Sequence, residues 1–393
     1  MLAEEVSSRN ITKPDLIIID GCAMLWGGIH WPLDGKVADL VEVVASHVAA
    51  RLVKSDVLLT FDRYHEMSTK GCTRDQRSTE KGGRHFLTIE SSLPCKIVAM
   101  TITENKVQLI NLIFKELPQP FKKLQYKHKL LITGKEPAPV EINLGVQIVR
   151  HDLSITHEEA DVIMTNQAMT AALEGYQSIH VICDDTDVFI LLTHFYHALG
   201  VKCDIYMVPI SSDRKVTDIA ATCQKQKEIT PHLIPLQMLT GCDTVSQMYG
   251  IGKRTAVKIV GKGILPPPLG TDENINTLIS DAATFVVTCY GQDCKGSMSD
   301  VCVKALQQRT ERSVSKRFNL ASLSPYCGSL RNVCQTGTSS SMYLEGYHVL
   351  RTSRRRPSVI WMVYASNNEV CYPHNIARWD PHCSILYSQD DLL

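Results

Sequence analysis

Short apolar runs of strand length alternate with helix-like segments from residue 16 to about residue 260, and this alternation limits the possible folds more than any other feature. The strand-like runs are "LIIID" (16–20), "DVLLTFD" (56–62), "HKLLITG" (128–134), "VQIVR" (146–150), "SIHVICDD" (178–185) and "CDIYMVPI" (203–210). Helical periodicity marks residues 36–53, 103–117, 156–175 and 187–199. The pattern predicts an α/β fold with a mainly parallel central sheet covered by helices.

Three of these strands end in aspartate. The acids are Asp20, Asp62 and Asp185, and Asp187 lies two residues beyond the last of them. In an open parallel sheet, ligands bind outside the carboxyl ends of the strands. We therefore expect these four carboxylates to meet on one edge of the sheet.

Further acids join this set. The helix at 156–175 begins with Glu158, Glu159 and Asp161, and Asp243 lies in "LTGCDTVSQ" at a predicted helix start. Clustered carboxylates repel each other unless a cation compensates. Magnesium or manganese does so through hard oxygen ligands, and two such ions about 3.5–4 Å apart promote phosphodiester hydrolysis. The acids therefore predict a two-metal site.

Each acid also has a purely structural interpretation, which the sequence leaves open. Asp20 and Asp62 fit ordinary loop starts. Glu159 follows Thr156 by three residues, the spacing of a capping box, and Asp243 fits an N-cap. The shared position at the ends of strands favours the metal site.

A glycine turn followed by a basic helix is the second signal. In "YGIGKRTAVKIVGK" (249–262), Gly250 and Gly252 precede Lys253, Arg254 and Lys258. Cations at a helix start oppose the helix dipole, and an anion bound at the exposed N–H groups reverses that effect. The element is predicted to grip a DNA backbone without reading sequence. The alternative is a glycine-turned helix with a solvated basic face.

A basic segment follows Asp62. Its cations are Lys70, Arg74, Arg77, Lys81 and Arg84. Such residues are suited to holding the scissile phosphate and its developing charge. The alternative is a solvated charged loop.

Charge and cysteine usage exclude several classes of protein. Lys+Arg and Asp+Glu number 41 each, so a globally basic nucleic-acid binder is excluded and binding must use local patches. The N-terminus lacks a signal-peptide core, and no apolar run reaches the ~18 residues of a membrane span. The 14 cysteines form no Cys-x-x-Cys pair, which indicates a reducing compartment. We expect a nuclear or, alternatively, cytoplasmic protein that is neither secreted nor membrane-bound, with "RTSRRRPS" (351–358) favouring the nucleus.

The motifs "IIIDGCAML", "LLTFDRY", "HEEADVIM", "ICDDTDVFIL" and "MLTGCDTVSQMYGIGKRTAVKIV" occur in one order between about residues 15 and 262. Together they resemble the flap endonuclease family of structure-specific 5′ nucleases, with Asteroid-type members as a closer alternative. The resemblance implies a PIN-like three-layer fold with a helix–two-turn–helix element. It also implies two Mg²⁺ ions, with Mn²⁺ as a substitute, held by Asp20, Asp62, Glu159, Asp161, Asp185, Asp187 and Asp243.

The resemblance also assigns the contacts with substrate. Lys70 and Arg77 match basic gateway residues that steady the phosphate, and Arg74 is expected beside them on the nucleic acid. Gly250, Gly252, Lys253 and Arg254 match the duplex-binding element, which a potassium ion supports, and Lys258 on the same predicted helix is expected to bind nucleic acid too. DNA is the expected partner rather than RNA.

The resemblance covers a nuclease domain (15–262) and leaves an N-terminal extension (1–14) and a C-terminal region of undefined fold (263–393), which is where any protein partner is expected to bind. Within the nuclease domain lie a gateway-like insertion (63–150) and the helix–two-turn–helix element (243–262). Residues 85–150 are more apolar and more proline-broken than a charged arch. The resulting hypothesis is a nuclease acting at single-strand/duplex junctions, and its alternative is a catalytically weak PIN-like binding or scaffold protein.

Overall fold

The structure, a computed structural model, describes residues 2–63, 83–124, 126–157, 159–211, 214–241, 251–269 and 274–291. Its strands are β1 (Glu4–Val6), β2 (Leu16–Asp20), β3 (Asp56–Thr60), β4 (Leu130–Ile132), β5 (Val140–Asn143), β6 (Val146–Val149), β7 (Ser178–Ile182), β8 (Asp204–Val208) and β9 (Val216–Asp218). A short turn, Gly21–Ala23, runs into a π-helix, Met24–Gly28. The helices are α1 (Val37–Leu52), α2 (Lys96–Thr101), α3 (Thr103–Glu116), α4 (Pro118–Lys123), α5 (Ala160–Glu174), α6 (Thr186–Leu199), α7 (Ile219–Lys225), α8 (Leu233–Thr240), α9 (Lys253–Val260) and α10 (Ile275–Cys289).

The strands of the described residues form one sheet in the order β1-β9-β8-β7-β2-β3-β4-β5-β6. The five central strands, from β8 to β4, run parallel, and the strands at both margins pair antiparallel. The α/β class and the largely parallel sheet predicted from the sequence are therefore confirmed. Strands β4, β5 and β6 lie within residues 63–150, so the segment expected as a gateway-like insertion contributes three strands to the sheet.

Helices cover both faces of the sheet because alternate strand residues are apolar on both sides. On one face, Ile17, Ile19 and Leu59 pack with apolar residues of α1 and α3. On the opposite face, Ile18 and Leu58 pack with α5, α6 and α7. The sheet is thus the middle of three layers, as expected.

A third apolar cluster joins α8, α9 and α10, the last three helices of the described residues. It includes Leu239 of α8, Val257 and Val260 of α9, and Leu278 and Phe285 of α10. This cluster fixes α9 through its apolar side and leaves its basic side outward. None of the helices in the described ranges has the length and apolar character that crossing a membrane requires.

Candidate metal and nucleic-acid site

Asp20 stands at the end of β2, where the chain turns into Gly21–Ala23. Its carboxylate Oδ1 accepts a hydrogen bond from the backbone N–H of Ala23 at 3.0 Å and caps this turn. The strand register places Asp20 opposite Thr60 of β3, two residues before Asp62. Neighbouring parallel strands therefore bring Asp20 and Asp62 to the same edge, as the sequence predicts.

Asp62 links this edge to the start of α5. Its Oδ1 accepts a hydrogen bond from the N–H of Ala160 at 3.1 Å. Glu159 is the N-cap of α5 but makes no capping hydrogen bond with its side chain, and Asp161 lies in the first turn. The capping-box interpretation of Glu159 therefore does not apply, because Glu159 is itself the N-cap and does not lie three residues after an N-cap at Thr156.

The end of β7 adds the last two acids within the described residues. Asp185 is the N-cap of α6, and its Oδ1 accepts a hydrogen bond from the N–H of Asp187 at 2.7 Å. The neighbouring Cys183 lies with its Sγ 3.8 Å from Oδ2 of Asp20. We call the set of acids at the strand and helix ends the acidic edge: Asp20, Asp62, Glu159, Asp161, Asp185 and Asp187.

Asp184 differs from its neighbours. Its carboxylate pairs with Arg214 at 3.3 Å, and both side chains are partly or largely exposed. Asp184 is thus a partly exposed neighbour of the acidic edge that pairs away from it.

Lys106 of α3 is a site residue that the sequence analysis missed. Its Nζ lies 3.7 Å from Oδ2 of Asp62, and only 19% of its side chain is exposed. Burial on its own lowers the pKa of Lys106, but Cys22, Asp62 and Asp20 outweigh that effect, so the pKa is raised and the ammonium stays charged. The sequence does carry a signal, because Lys106 lies three and four residues before the buried Leu109 and Ile110, on the apolar side of the helix.

The carboxylates of Asp20 and Asp62 still repel each other. Burial, together with the charge of Asp62, raises the pKa of Asp20 to about 6. Burial also raises the pKa of Cys22 to about 12, so this thiol is neutral beside Asp62 at neutral pH. Carboxylates whose repulsion persists beside a lysine gain from an additional cation.

Lys253, expected on the duplex, is tied to the acidic edge. It stands in the first turn of α9, and its Nζ forms an ion pair with Oδ1 of Asp187. Arg254 and Lys258 are exposed, whereas Ala256 and Val257 face the apolar cluster. The basic side of α9 therefore faces outward, and its first lysine, Lys253, pairs with a carboxylate of the acidic edge.

Gly252 precedes α9 with φ −101° and ψ 170°, an extended conformation open to any residue. Nothing lies within 4 Å of a Cβ placed on it. The sequence predicts a tight glycine turn at 250–252, but the backbone at Gly252 does not require a glycine. Gly250, Asp243, Lys70, Arg74 and Arg77 lie outside the described residues.

Arg63 is a second positioning residue that the sequence did not single out. Its side chain is 2% exposed, and its guanidinium donates hydrogen bonds only to backbone carbonyls in the described structure: Gly134, Pro137, Ile155 and His157. Burial lowers its pKa to about 10. Arg63 therefore fastens the segment before Glu159 to the end of β3, next to Asp62.

The donor set suits a divalent cation in its chemistry, because magnesium and manganese prefer carboxylate oxygens. Within the part of the chain that the structure describes, no group of three or more His, Cys, Asp or Glu side chains is arranged to hold a metal ion. The predicted ligand Asp243 lies outside that part. The acidic edge thus offers suitable ligands. The ammonium groups of Lys106 and Lys253 lie beside two of them, Asp62 and Asp187.

Comparisons with known proteins give structural likenesses alone. No protein-family profile matches the chain, and no curated protein matches it. The flap endonuclease D15 of bacteriophage T5, in a product complex with DNA and metal ions, is 15% identical with a TM-score of 0.35, covering 74% of this chain and 98% of its own. A T5 5′-exonuclease with bound zinc is 15% identical with a TM-score of 0.36, covering 76% and 97%.

The catalytic core of Rad2 in complex with a DNA substrate is 12% identical with a TM-score of 0.39, covering 84% of this chain and 82% of its own. Identity and overlap at this level establish neither family nor activity for this chain.

Proposed function

We propose that this chain is a metal-dependent nuclease that hydrolyses phosphodiester bonds of nucleic acid at junctions between single strand and duplex. The observation that supports it best is the acidic edge itself. Its carboxylates lie at or just beyond the ends of three neighbouring parallel strands, β2, β3 and β7, and at the starts of two helices. If these acids served only as loop starts and helix caps, they would not need to meet on one edge with Lys106 beside them.

The proposed metal ligands are the six residues of the acidic edge together with Asp243. Two Mg²⁺ ions, or Mn²⁺ in their place, would lower the pKa of the attacking water and offset the charge on the leaving oxygen. The chain's own contribution is to fix these carboxylates. Asp62 does so through its bond to Ala160, and Asp185 through its bond to the N–H of Asp187.

Cationic side chains are proposed to steady the scissile phosphate. Lys70 and Arg77 keep this role from the sequence analysis. Lys106 joins them, because its buried ammonium already stands beside Asp62. Charge fixed before the reaction stabilises developing negative charge without a reorganisation cost.

The α9 element is proposed to hold duplex DNA through Gly250, Gly252, Lys253, Arg254 and Lys258, with K⁺ at residues 250–254 and Arg74 as a further contact. Arg254 and Lys258 project outward, as a backbone contact requires. The ion pair between Lys253 and Asp187 links duplex binding to the acidic edge. A phosphate that draws Lys253 away from Asp187 would free that carboxylate for a metal ion.

We propose the nucleus as the location of the nuclease activity.

One observation favours the alternative, a catalytically weak PIN-like protein that binds nucleic acid or acts as a scaffold. The ammonium groups of Lys106 and Lys253 already lie on Asp62 and Asp187. If those lysines permanently replace the metal ions, the fold and the basic helix remain but the chemistry is lost.

A cleavage assay with the full chain separates the two functions. The substrates are a 5′-flap duplex, a blunt duplex, single-stranded DNA and an RNA hairpin, each with Mg²⁺ or Mn²⁺. Asp187→Ala removes a proposed ligand. Asp184→Ala is the matched control, because Asp184 lies three residues away and pairs with Arg214.

We expect metal-dependent cutting near the junction that Asp187→Ala reduces at least about 100-fold and Asp184→Ala leaves within about twofold. Equal loss in both variants would contradict the assigned roles. Binding of duplex without any cutting, weakened by Arg254→Ala, would establish the alternative.

A further inference from the structure

Strand β6 ends the sheet and exposes apolar side chains. All four of its residues are exposed, and three are large and apolar: Val146 at 61%, Ile148 at 45% and Val149 at 50%. The sheet order places β5 on one side of β6 and no strand of the described residues on the other. An apolar edge strand of this kind is a template for pairing with a further strand.

The register shows which backbone groups of β6 are directed outward. Asn143 pairs with Val146 across the two-residue turn, and the ladder continues in alternation to the bond from Arg150 N–H to the carbonyl of Pro139 at 2.9 Å. Val146 and Ile148 therefore direct their N–H and C=O groups toward β5. Gln147 and Val149 direct theirs to the outer edge, which offers two donors and two acceptors to another strand.

A shallow apolar cleft lies between α4 and the β5–β6 turn. Its lining includes Phe121, Leu124, Tyr126, Ile142 and Leu144. Leu144 is 58% exposed and adopts φ 48° in the β5–β6 turn, a conformation unfavourable for a leucine. An added strand that extends past the turn would lie next to this exposed leucine.

The charge near the cleft selects the partner. Lys122, Lys123 and Lys127 are exposed, and the described residues give none of them an ion pair. Lys122 adjoins the turn, because a Cβ placed on Gly145 would lie 2.8 Å from its carbonyl oxygen. Acidic residues of an incoming segment would neutralise these lysines.

The opposite end of β6 offers no such charge. The guanidinium of Arg150 there already pairs with Glu141 and with Asp152, the latter at 2.7 Å. An incoming strand therefore meets unpaired cations at the turn end alone among the described residues.

We propose that β6 is a docking edge for an extended peptide segment of a partner protein. The segment adds a strand beside β6, bonds to the backbone of Gln147 and Val149, and alternates apolar with polar residues. Its acidic residues lie at the end next to Lys122 and Lys123. This proposal is independent of the nuclease activity, since β6 lies four strands away from β2 in the sheet order.

The test selects short peptides of random sequence, displayed on phage, against the full-length chain. Enriched peptides are then synthesised and their affinity is measured by fluorescence polarisation. We expect alternating apolar residues with Asp or Glu at one end. Gln147→Pro removes an outward N–H without touching the bonds to β5, so it should weaken binding at least about tenfold, as strand addition requires.

Matched variants complete the test. Gln147→Thr keeps the N–H and should bind within about twofold of the wild type, and the double change Lys122→Glu with Lys123→Glu should weaken binding at least about tenfold. Peptides that lack acids, or that ignore Gln147→Pro, overturn the proposal. So does a concentration-dependent dimer that Gln147→Pro abolishes, which identifies a second copy as the occupant. Slow hydrogen exchange of Gln147 and Val149 in the free chain also overturns it, because another segment of the chain then covers the edge.

Discussion

At the scale of single residues, two cations organise the acidic edge by different means. Arg63 donates to the backbone carbonyls of Gly134, Pro137, Ile155 and His157 and thereby holds loops. Lys106 approaches a carboxylate and thereby sets the local charge. The first controls where the acids stand, and the second controls how strongly they repel each other.

Arg63→Met should destabilise the fold, because it leaves several buried carbonyls without donors, each costing about 1–3 kcal/mol. Arg63→Lys should recover only part of the loss, since an ammonium cannot reproduce the planar fork of donors. Urea denaturation monitored by circular dichroism measures both. Arg214→Met is the control, with an expected change within about 1 kcal/mol, because Arg214 makes an exposed pair. An equal midpoint for Arg63→Met and the wild type would refute the positioning role.

Lys106→Met should slow the proposed cleavage at least about 100-fold at saturating metal, because a fixed charge beside the reacting phosphate is lost. Lys115→Met is the control on the same helix, where Lys115 is largely exposed and pairs with Glu116. Single-turnover kinetics with the flap substrate measure the rate, and circular dichroism verifies the fold. Similar rates in both variants would remove Lys106 from the mechanism.

At the scale of elements, the sequence predicts the centre of the sheet better than its margins. Strands β2, β3 and β7 were predicted because each is a continuous apolar run closed by acids, a pattern that a strand buried on both faces requires. Strand β1 is only three residues long, with the sequence Glu-Glu-Val, and it forms because β9 pairs with it. Pairing partners distant in the chain leave no periodicity in the local sequence.

In the acidic edge, too, the sequence predicts some features and misses others. The acids at 20, 62, 159, 161, 185 and 187 could be predicted, since strand ends in a parallel sheet share an edge. The bond from Ala160 to Asp62 and the ion pair from Lys253 to Asp187 could not, because each depends on the packing of a separate element.

The junction between β2 and the following turn allows no side chain on its glycine. A Cβ on Gly21 would lie 2.3 Å from the ring of Phe61, which is fully buried. Gly21→Ala should therefore cost about 1–3 kcal/mol of unfolding free energy through overpacking. Gly252→Ala, which meets open space before α9, should cost less than about 1 kcal/mol. Urea denaturation ranks the two, and the reverse order would contradict the packing described.

At the scale of the whole molecule, histidines that are partly or fully buried make stability depend on pH. Burial lowers the pKa values of His47, His157 and His194 to about 4 each. A histidine with a lowered folded pKa contributes stability that is present above its unfolded pKa of about 6.5 and is lost as the pH falls through the folded value. Asp20 acts in the opposite direction, because its raised folded pKa of about 6 favours the folded state in acid.

Through these four groups, the metal-free protein should therefore take up about two protons on unfolding near pH 5, three through the histidines less one through Asp20. Its unfolding free energy should fall between pH 6.5 and pH 4.5. Urea denaturation across this range measures the slope. His157→Leu should reduce it by about one proton. A slope near zero would contradict the assigned pKa values.

The parallel centre of the sheet also fixes when the protein can become functional during its synthesis. Asp20 and Cys183, which meet at the acidic edge, are 163 residues apart in the chain, and Glu4 and Thr222 are 218 apart. At ribosomal speeds of about 5–20 residues per second, β2 waits roughly 8–30 s after its own synthesis for its partner β7. The carboxylates of the N-terminal half therefore stay separate from the others on the nascent chain. A translation product that stops before β7 would contain Asp20 and Asp62 but lack Asp185 and Asp187, which complete the acidic edge.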